Sequence, residues 1–497
     1  TLAYRAVKFA RRHRLGVAAA ALVVLSLAGG FAGTAWQARV AADERDVAAR
    51  EAMKAREVSA FLVRLFEVSD PSEARGDDVT ARELLDEAAV RLDALAGQPE
   101  VQAAMMSVMG QVYGNLGHYD EAQALLDTAL IRLRSLPAAA PLEIAEVLHH
   151  AGIVHSRKAV YDDAETKLRE ALALREAHLE DTHPALAETR HDLAQVLREK
   201  GRPADAAALY RQVIAVRTPL RDVQPVALAA SLHGLAVVLH DQGDHAGAEA
   251  VFEEVAGLQQ TTPSAVTPEI ANSLTALATI RSFQRRFQEA AVLFGNALAM
   301  QRTLYGPAHP EVATTLTGIG ELWHHTERYA DADRAFREAL TIFDATLGPS
   351  NLTTAVTRHT FGRFLRDQGD AVEAETQLQR ALAVVRSADG DARNRVVVVL
   401  HDLAELRRSI GDYVSADALY VEADSIAREL YGVAHPYIAL GKHGLGRVAE
   451  DRGDLAAAAS LYREAIAIGE KVLRPDHPYL VQFREDLAEA ERVRPPE

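Results

Sequence analysis

Six histidines return at a fixed interval. His149, His191, His233, His359, His401 and His443 hold one position of a 42-residue period, and Ser107, Thr275 and Thr317 hold it at the other steps. Imidazole ligates metals, transfers protons near neutral pH and hydrogen-bonds through two distinct nitrogens, so a ladder of it invites a chemical reading. Metal binding does not fit the spacing: rungs one period apart sit on separate helices roughly 10 Å apart. Nucleophilic thiols and thiolate metal sites are excluded because the chain has no cysteine. A kinase glycine-rich loop, a His-Arg-Asp catalytic loop, an Asp-Phe-Gly motif, a Gly-Lys-Ser/Thr phosphate loop, a zinc-protease helix and a Gly-x-Ser-x-Gly elbow are all missing. No catalytic, cofactor-binding or metal site is therefore expected. Two readings of the ladder remain: side chains lining a ligand groove, or hydrogen-bonding links between adjacent helices. In the first, the rings would titrate together near pH 6.5 and turn the groove basic in mild acid. His183, His309, His435 and His477 each precede a proline and are expected to satisfy backbone groups at joints.

The elements that place the ladder follow from the same period. Ala122, Ala164, Ala206, Ala248, Ala290, Ala332, Ala374, Ala416 and Ala458 mark nine consecutive steps. Twelve residues before each stands Gly or Ala, from Gly110 to Gly446, and four residues after each stands Leu, Tyr or Phe, from Leu126 to Tyr462. A small side chain lets two helices approach, and the large one fills the space beside it. Gly117, Gly201, Gly243, Gly369, Gly411 and Gly453 fall between the two, where a left-handed residue ends one helix before the next begins. Ala159, Arg285 and Glu327 replace that glycine and put the turn geometry of their repeats in question. Prolines at 99, 141, 184, 225, 268, 310, 436 and 478 mark most joints, at the first helical turn. A helix pair cannot bury its apolar face alone, so the period predicts a solenoid in which neighbours supply the core.

This small–Ala–aromatic–Ala register resembles tetratricopeptide repeats, and the 42-residue period is similar to the longer kinesin-light-chain type. The resemblance implies an all-α fold, an α-solenoid wound as a right-handed superhelix, whose first helices line a concave groove that takes peptides. The ladder position points into that groove.

Charge is unevenly spread. The formal −16 divides into +5 over residues 1–14, from Arg5, Lys8, Arg11, Arg12 and Arg14, and −21 beyond. An acidic body without a basic stripe argues against nucleic acid as a partner. Residues 15–38 contain no charge, enough to span a bilayer as one transmembrane helix, with Trp36 at the interface position. Arg11, Arg12 and Arg14 abut the apolar run, whereas Arg39, Arg45 and Arg50 are mixed with acids. That bias predicts a single-pass protein of the inner or cell membrane, N-terminus cytoplasmic and repeats extracytoplasmic. The expected organisation is a basic juxtamembrane segment (1–14), a transmembrane helix (15–38), and a helical stalk with N-terminal cap (39–97). Nine 42-residue repeats (98–476) and a C-terminal capping helix with tail (477–497) complete it.

Residues 5–25 and 60–95 carry a second resemblance, to the membrane-anchored bacterial serine/threonine protein kinases. In that family a kinase domain precedes a basic juxtamembrane segment, a membrane helix and a tetratricopeptide array. The resemblance implies that this chain is the non-catalytic half of such a kinase, a sensor or scaffold binding proteins or peptides, with a kinase domain upstream of Thr1. The alternative is a free-standing membrane-tethered adaptor. An enzyme in its own right is the third class, disfavoured by the missing motifs.

Overall fold

The computed structural model describes residues 92–95, 97–136, 140–387 and 393–493. The expected membrane span, its basic flank and most of the stalk lie outside the described residues, and among the described residues no helix is long and apolar enough to cross a membrane. The described chain forms nineteen α-helices and no strand. They fall into two compact units, Thr1–Val216 and Arg217–Glu497.

In the first unit, repeat 1 pairs Pro99–Asn115 with Tyr119–Ser135, repeat 2 pairs Pro141–Arg157 with Tyr161–His178, and repeat 3 follows Pro184–Glu199 with Pro203–Arg217. The last helix stops where Pro219 follows; its final residue, Arg217, and the 3-10 turn Thr218–Leu220 open the next unit. The second unit pairs Pro225–Asp241 with His245–Thr261, Pro268–Phe283 with Phe287–Tyr305, and Pro310–His325 with Tyr329–Thr346. It continues with Leu352–Asp367 and Ala371–Ser387, Arg393–Ser409 and Tyr413–Tyr431, and Pro436–Asp451 and Leu455–Val472. A last helix, Pro478–Val493, buries Leu480, Phe483 and Ala490 against repeat 9 and turns charge outward. Of the expected helical stalk and N-terminal cap, the described part includes a 3-10 turn, Leu92–Leu95. Leu92 is buried in the core of repeat 1.

All nine register alanines are fully buried. The reason is visible at Gly320, where an added Cβ would stand 2.8 Å from the ring of Phe336, and at Gly446, where it would meet Tyr462 at 2.5 Å. The large residue of the second helix lies directly on the small residue of the first. Burying each such ring contributes about 1.5–3 kcal/mol.

The three turns without glycine keep the common geometry. Ala159, Arg285 and Glu327 adopt φ of 58°, 62° and 61°, in the same left-handed region as Gly117 at 84°. The same bond closes them: Val160 N–H donates to His155 O at 2.9 Å, as His118 N–H does to Tyr113 O at 2.9 Å. The substitutions strain the turn without changing it.

Successive first helices touch along both units, and no comparable contact joins successive second helices. The second helices are linked instead by long ion pairs, Arg302 to Glu338 at 2.8 Å and Arg337 to Glu373 at 2.7 Å. Within each unit the first helices therefore form the inner face.

Candidate functional site

The ladder position lies on the inner face and reaches toward the next first helix. Its partner stands either two residues before or one residue after the equivalent position there. His233 Nδ1 lies 2.8 Å from Ser273 Oγ, Thr275 Oγ1 lies 3.0 Å from Thr315 Oγ1, and Thr317 Oγ1 lies 3.3 Å from Thr357 Oγ1. These use the earlier offset. His149 Nε2 meets Asp192 Oδ2 at 3.3 Å, His359 Nε2 meets Asp402 Oδ2 at 2.6 Å, and His443 Nε2 meets Asp486 Oδ2 at 2.6 Å. These use the later one. His191 sets its ring edge-on to Tyr210, with centroids 5.3 Å apart. At His401 the next repeat offers Gly441 and Gly444 at the two offsets, and His401 Nε2 is buried without a partner. The geometry is that of hydrogen-bonding links between repeats, with one rung left open.

The common titration near pH 6.5 does not hold for the buried rungs. Burial, with the charge of Arg175 and then His150, lowers His149 to about 3. Burial lowers His401 to about 4, overcoming Asp402 and Asp424. His443 is also lowered, its burial outweighing the hydrogen bond to Asp486. Asp402 goes the other way for a carboxylate: burial would raise it, but the His359 bond and the charges of Arg366 and Arg363 hold it below its usual range. Mild acid therefore leaves His149 and His401 neutral while the fold is intact.

The joint histidines cap helices. His183, His309, His435 and His477 each accept through Nδ1 from the backbone N–H two residues on, at 3.2, 3.2, 3.3 and 3.2 Å. Asn351 does the same through Oδ1 at 2.8 Å. Each fills one of the donors that a helix start leaves open.

A second polar series escaped the sequence reading. Arg175 donates to Thr189 Oγ1 at 2.5 Å and to Ala185 O at 2.9 Å, and Arg217 donates to Ser231 Oγ at 2.6 Å and to Ala227 O at 2.8 Å. Thr315 donates to Gln301 Oε1 at 2.7 Å. The signal was present as Thr189, Ser231, Ser273, Thr315 and Thr357, a hydroxyl column at the same period.

The exposed part of the inner face is heterogeneous. In the second unit a cleft of about 270 Å³ has Val356, Val398 and Val399 as its floor, with His359, Arg395 and Tyr437 around it. Arg363 and Arg447 project from the face, half-exposed. Among the described residues no three His, Asp or Glu side chains converge as metal ligands would.

Models of the tetratricopeptide repeat match residues 143–218, 227–303, 269–345, 311–387, 353–429 and 395–471, and a further one matches 108–156. The chain belongs to the tetratricopeptide repeat family. No curated protein matches it. Solved structures similar to it include the nearly identical tetratricopeptide-like repeats of a putative kinesin light chain from Podosopora anserina, 24% identical over 42% of this chain and 98% of that one, with a TM-score of 0.36. A tetratricopeptide repeat protein from Parabacteroides merdae is 14% identical over 61% of this chain and 98% of its own, with a TM-score of 0.41. PilW, a type IV pilus biogenesis factor, is 20% identical over 51% and 97%, with a TM-score of 0.37.

Proposed function

We propose that this tetratricopeptide array is a protein-interaction scaffold whose inner face binds extended peptide segments of partner proteins. One observation carries the reading. The framework positions are constant, nine buried alanines in nine repeats, while the exposed or half-buried inner position four residues after the ladder changes from each repeat to the next. It reads Gln111, Ile153, Gln195, Val237, Thr279, Glu321, Arg363, Glu405 and Arg447. A fixed scaffold carrying a varied face has the character of a recognition surface, since repetition alone would make the face uniform.

The chain itself carries no catalytic role in this reading. The uncharged run 15–38 supports a membrane anchor, and the basic residues Arg11, Arg12 and Arg14 support repeats outside the cytoplasm. The kinase resemblance of residues 5–25 and 60–95 supports a role as the sensor or scaffold half of a membrane serine/threonine kinase. A free-standing membrane-tethered adaptor is the second reading, favoured by the same anchor and independent of any kinase.

Affinity capture with paired variants tests the scaffold. Arg363→Glu with Arg447→Glu reverses charge on the inner face, and Arg334→Glu reverses it on the outer one. Partners should be lost with the first and retained with the second, and equal recovery from both would contradict the assignment. A reporter fused after Glu497 should be active only outside the cytoplasm; cytoplasmic activity would overturn the orientation.

A further inference from the structure

Three residues after the small residue of the first helix, repeats 3, 4 and 7 hold Leu197, Leu239 and Leu365, all buried. In repeat 5 the same position is Arg281, and it is only 3% exposed. Its guanidinium donates to Glu249 and Glu253, both on the second helix of repeat 4, and lies 3.6 Å from Glu289 on the second helix of its own repeat. A cleft of about 520 Å³ lies beside these groups, lined by Gly257 from one second helix and Val292 from the next. On this side the guanidinium, rather than an apolar side chain, spans the joint. The pairing recurs at Arg407, which donates to Glu375, again 32 residues upstream.

Such a cluster adds little net stability. Desolvation of a guanidinium and its acids offsets their attraction, and well-packed apolar residues of similar volume stabilise as well or better. Leu239 with Ala207, the same two positions one repeat earlier, is an apolar counterpart, and both are buried. What the charge adds is discrimination, because a buried guanidinium without its acids is strongly disfavoured. Repeats this alike offer one another wrong neighbours. One repeat out of step, Arg281 would meet the positions of Ala207 and Arg211, or those of Ala291 and Gly295. Neither pair supplies a carboxylate, and the first adds a like charge. Glu249 and Glu253 would meet Trp323 or Leu239 in place of the arginine.

We propose that Arg281, Glu249 and Glu253 form a register key, which fixes repeat 5 on repeat 4 and excludes packing one repeat out of step without raising the stability of the array. The key bears on function through order. The inner face presents Val237, Thr279 and Glu321 in succession only while repeats 4, 5 and 6 are in step. The key itself stands whether or not that face binds a peptide.

The test uses the full chain, refolded from urea in detergent. The chain has no cysteine, so Ala246→Cys and Ala330→Cys, exposed on the second helices of repeats 4 and 6, carry two nitroxides whose separation is read by pulsed electron spin resonance. Labelled chain is diluted with unlabelled chain, so that only distances within one chain count. The chain with its key intact should give a single distance. Packing of repeat 6 on repeat 4, with repeat 5 looped out, would add a second distance shorter by roughly 10 Å, the spacing of neighbouring helices. The keyless variant, Arg281→Leu with Glu249→Ala and Glu253→Ala, copies the joint of Leu239 and Ala207. Its urea midpoint should equal or exceed that of the intact chain, while the fraction at the shorter distance rises at least about tenfold. Glu249→Ala with Glu253→Ala alone strands the guanidinium and should lower the midpoint. The reversed key, Arg281→Glu with Glu249→Arg and Glu253→Arg, should restore the single distance, Glu289 staying with Arg286 at 2.6 Å. A keyless variant that refolds to the single distance overturns the proposal, as does a reversed key that shows the shorter one. A keyless variant that unfolds at much lower urea, or does not fold, makes the cluster an ordinary source of stability and overturns it too.

Discussion

Replacing Ala159 by glycine should stabilise the chain. Ala159 ends the first helix of repeat 2 with φ of 58°, a conformation in which Cβ crowds the following carbonyl at a cost of about 1–2 kcal/mol. Glycine removes that cost. It returns about 0.5–1 kcal/mol through the greater freedom of the unfolded chain, so the net gain is about 0.5–1 kcal/mol. Ala159 is exposed, so no packing is lost. The control is the same chemical change at Ala173, exposed in the middle of the helix Tyr161–His178, where glycine should cost about 0.5–1 kcal/mol. Because repeat arrays open locally, the assay is amide hydrogen exchange in Pro141–Arg157 and Tyr161–His178. Ala159→Gly should slow exchange there by about two- to fivefold and Ala173→Gly should speed it by a similar factor. Shifts of the same sign would refute the strain argument. Glu327→Gly should behave like Ala159→Gly, and Arg285→Gly should gain less, because Arg285 lies 5.6 Å over the ring of Phe287.

Ala332→Leu should cost about 1–3 kcal/mol in thermal unfolding by overpacking a fully buried contact, while Glu338→Ala, which breaks only an exposed pair with Arg302, should stay within about 0.5 kcal/mol. Equal effects would mean that the register is wrong. Gly441→Ser should supply the missing partner of His401 Nε2, which lies 3.3 Å from the Cβ position, in the manner of Ser273 with His233, and raise stability by about 1 kcal/mol. A loss would show that the ring cannot yield the few tenths of an ångström needed. His149 and His401 are neutral in the fold, with values lowered to about 3 and about 4 from 6.5. The unfolded chain therefore binds more protons in acid, so stability is complete above about pH 6.5 and falls as pH drops toward the folded values. Each residue should cost about 1 kcal/mol at about pH 5.5, read as a lower urea midpoint. Converting both to Asn should flatten that dependence, and an unchanged slope would place the acid sensitivity elsewhere.

The helices and their pairing were legible because close approach leaves a rigid mark: nothing larger than alanine fits at Ala332, and a large residue must stand beside it. The joints were legible through proline, which a first helical turn accepts and a helix interior does not. The turns at Ala159, Arg285 and Glu327 were not, because neighbouring helices hold a left-handed residue there against its own preference. The ladder's period was plain, but its bonding was not. Whether a rung closes depends on the next repeat, where Ser273 or Asp402 can answer a histidine and Gly441 cannot. The neutrality of His149 depends on burial and on Arg175 in another helix.

The central claim is that partners are bound on the face of the first helices. It is tested most directly by placing a photo-crosslinking side chain at Gln195, Thr279 and Arg363 on that face, and at Ala173, Arg334 and Val372 on the second helices, in cells that produce the chain. The account predicts partner adducts from the first set and none above background from the second. Adducts confined to the second set, or equal from both, would contradict it.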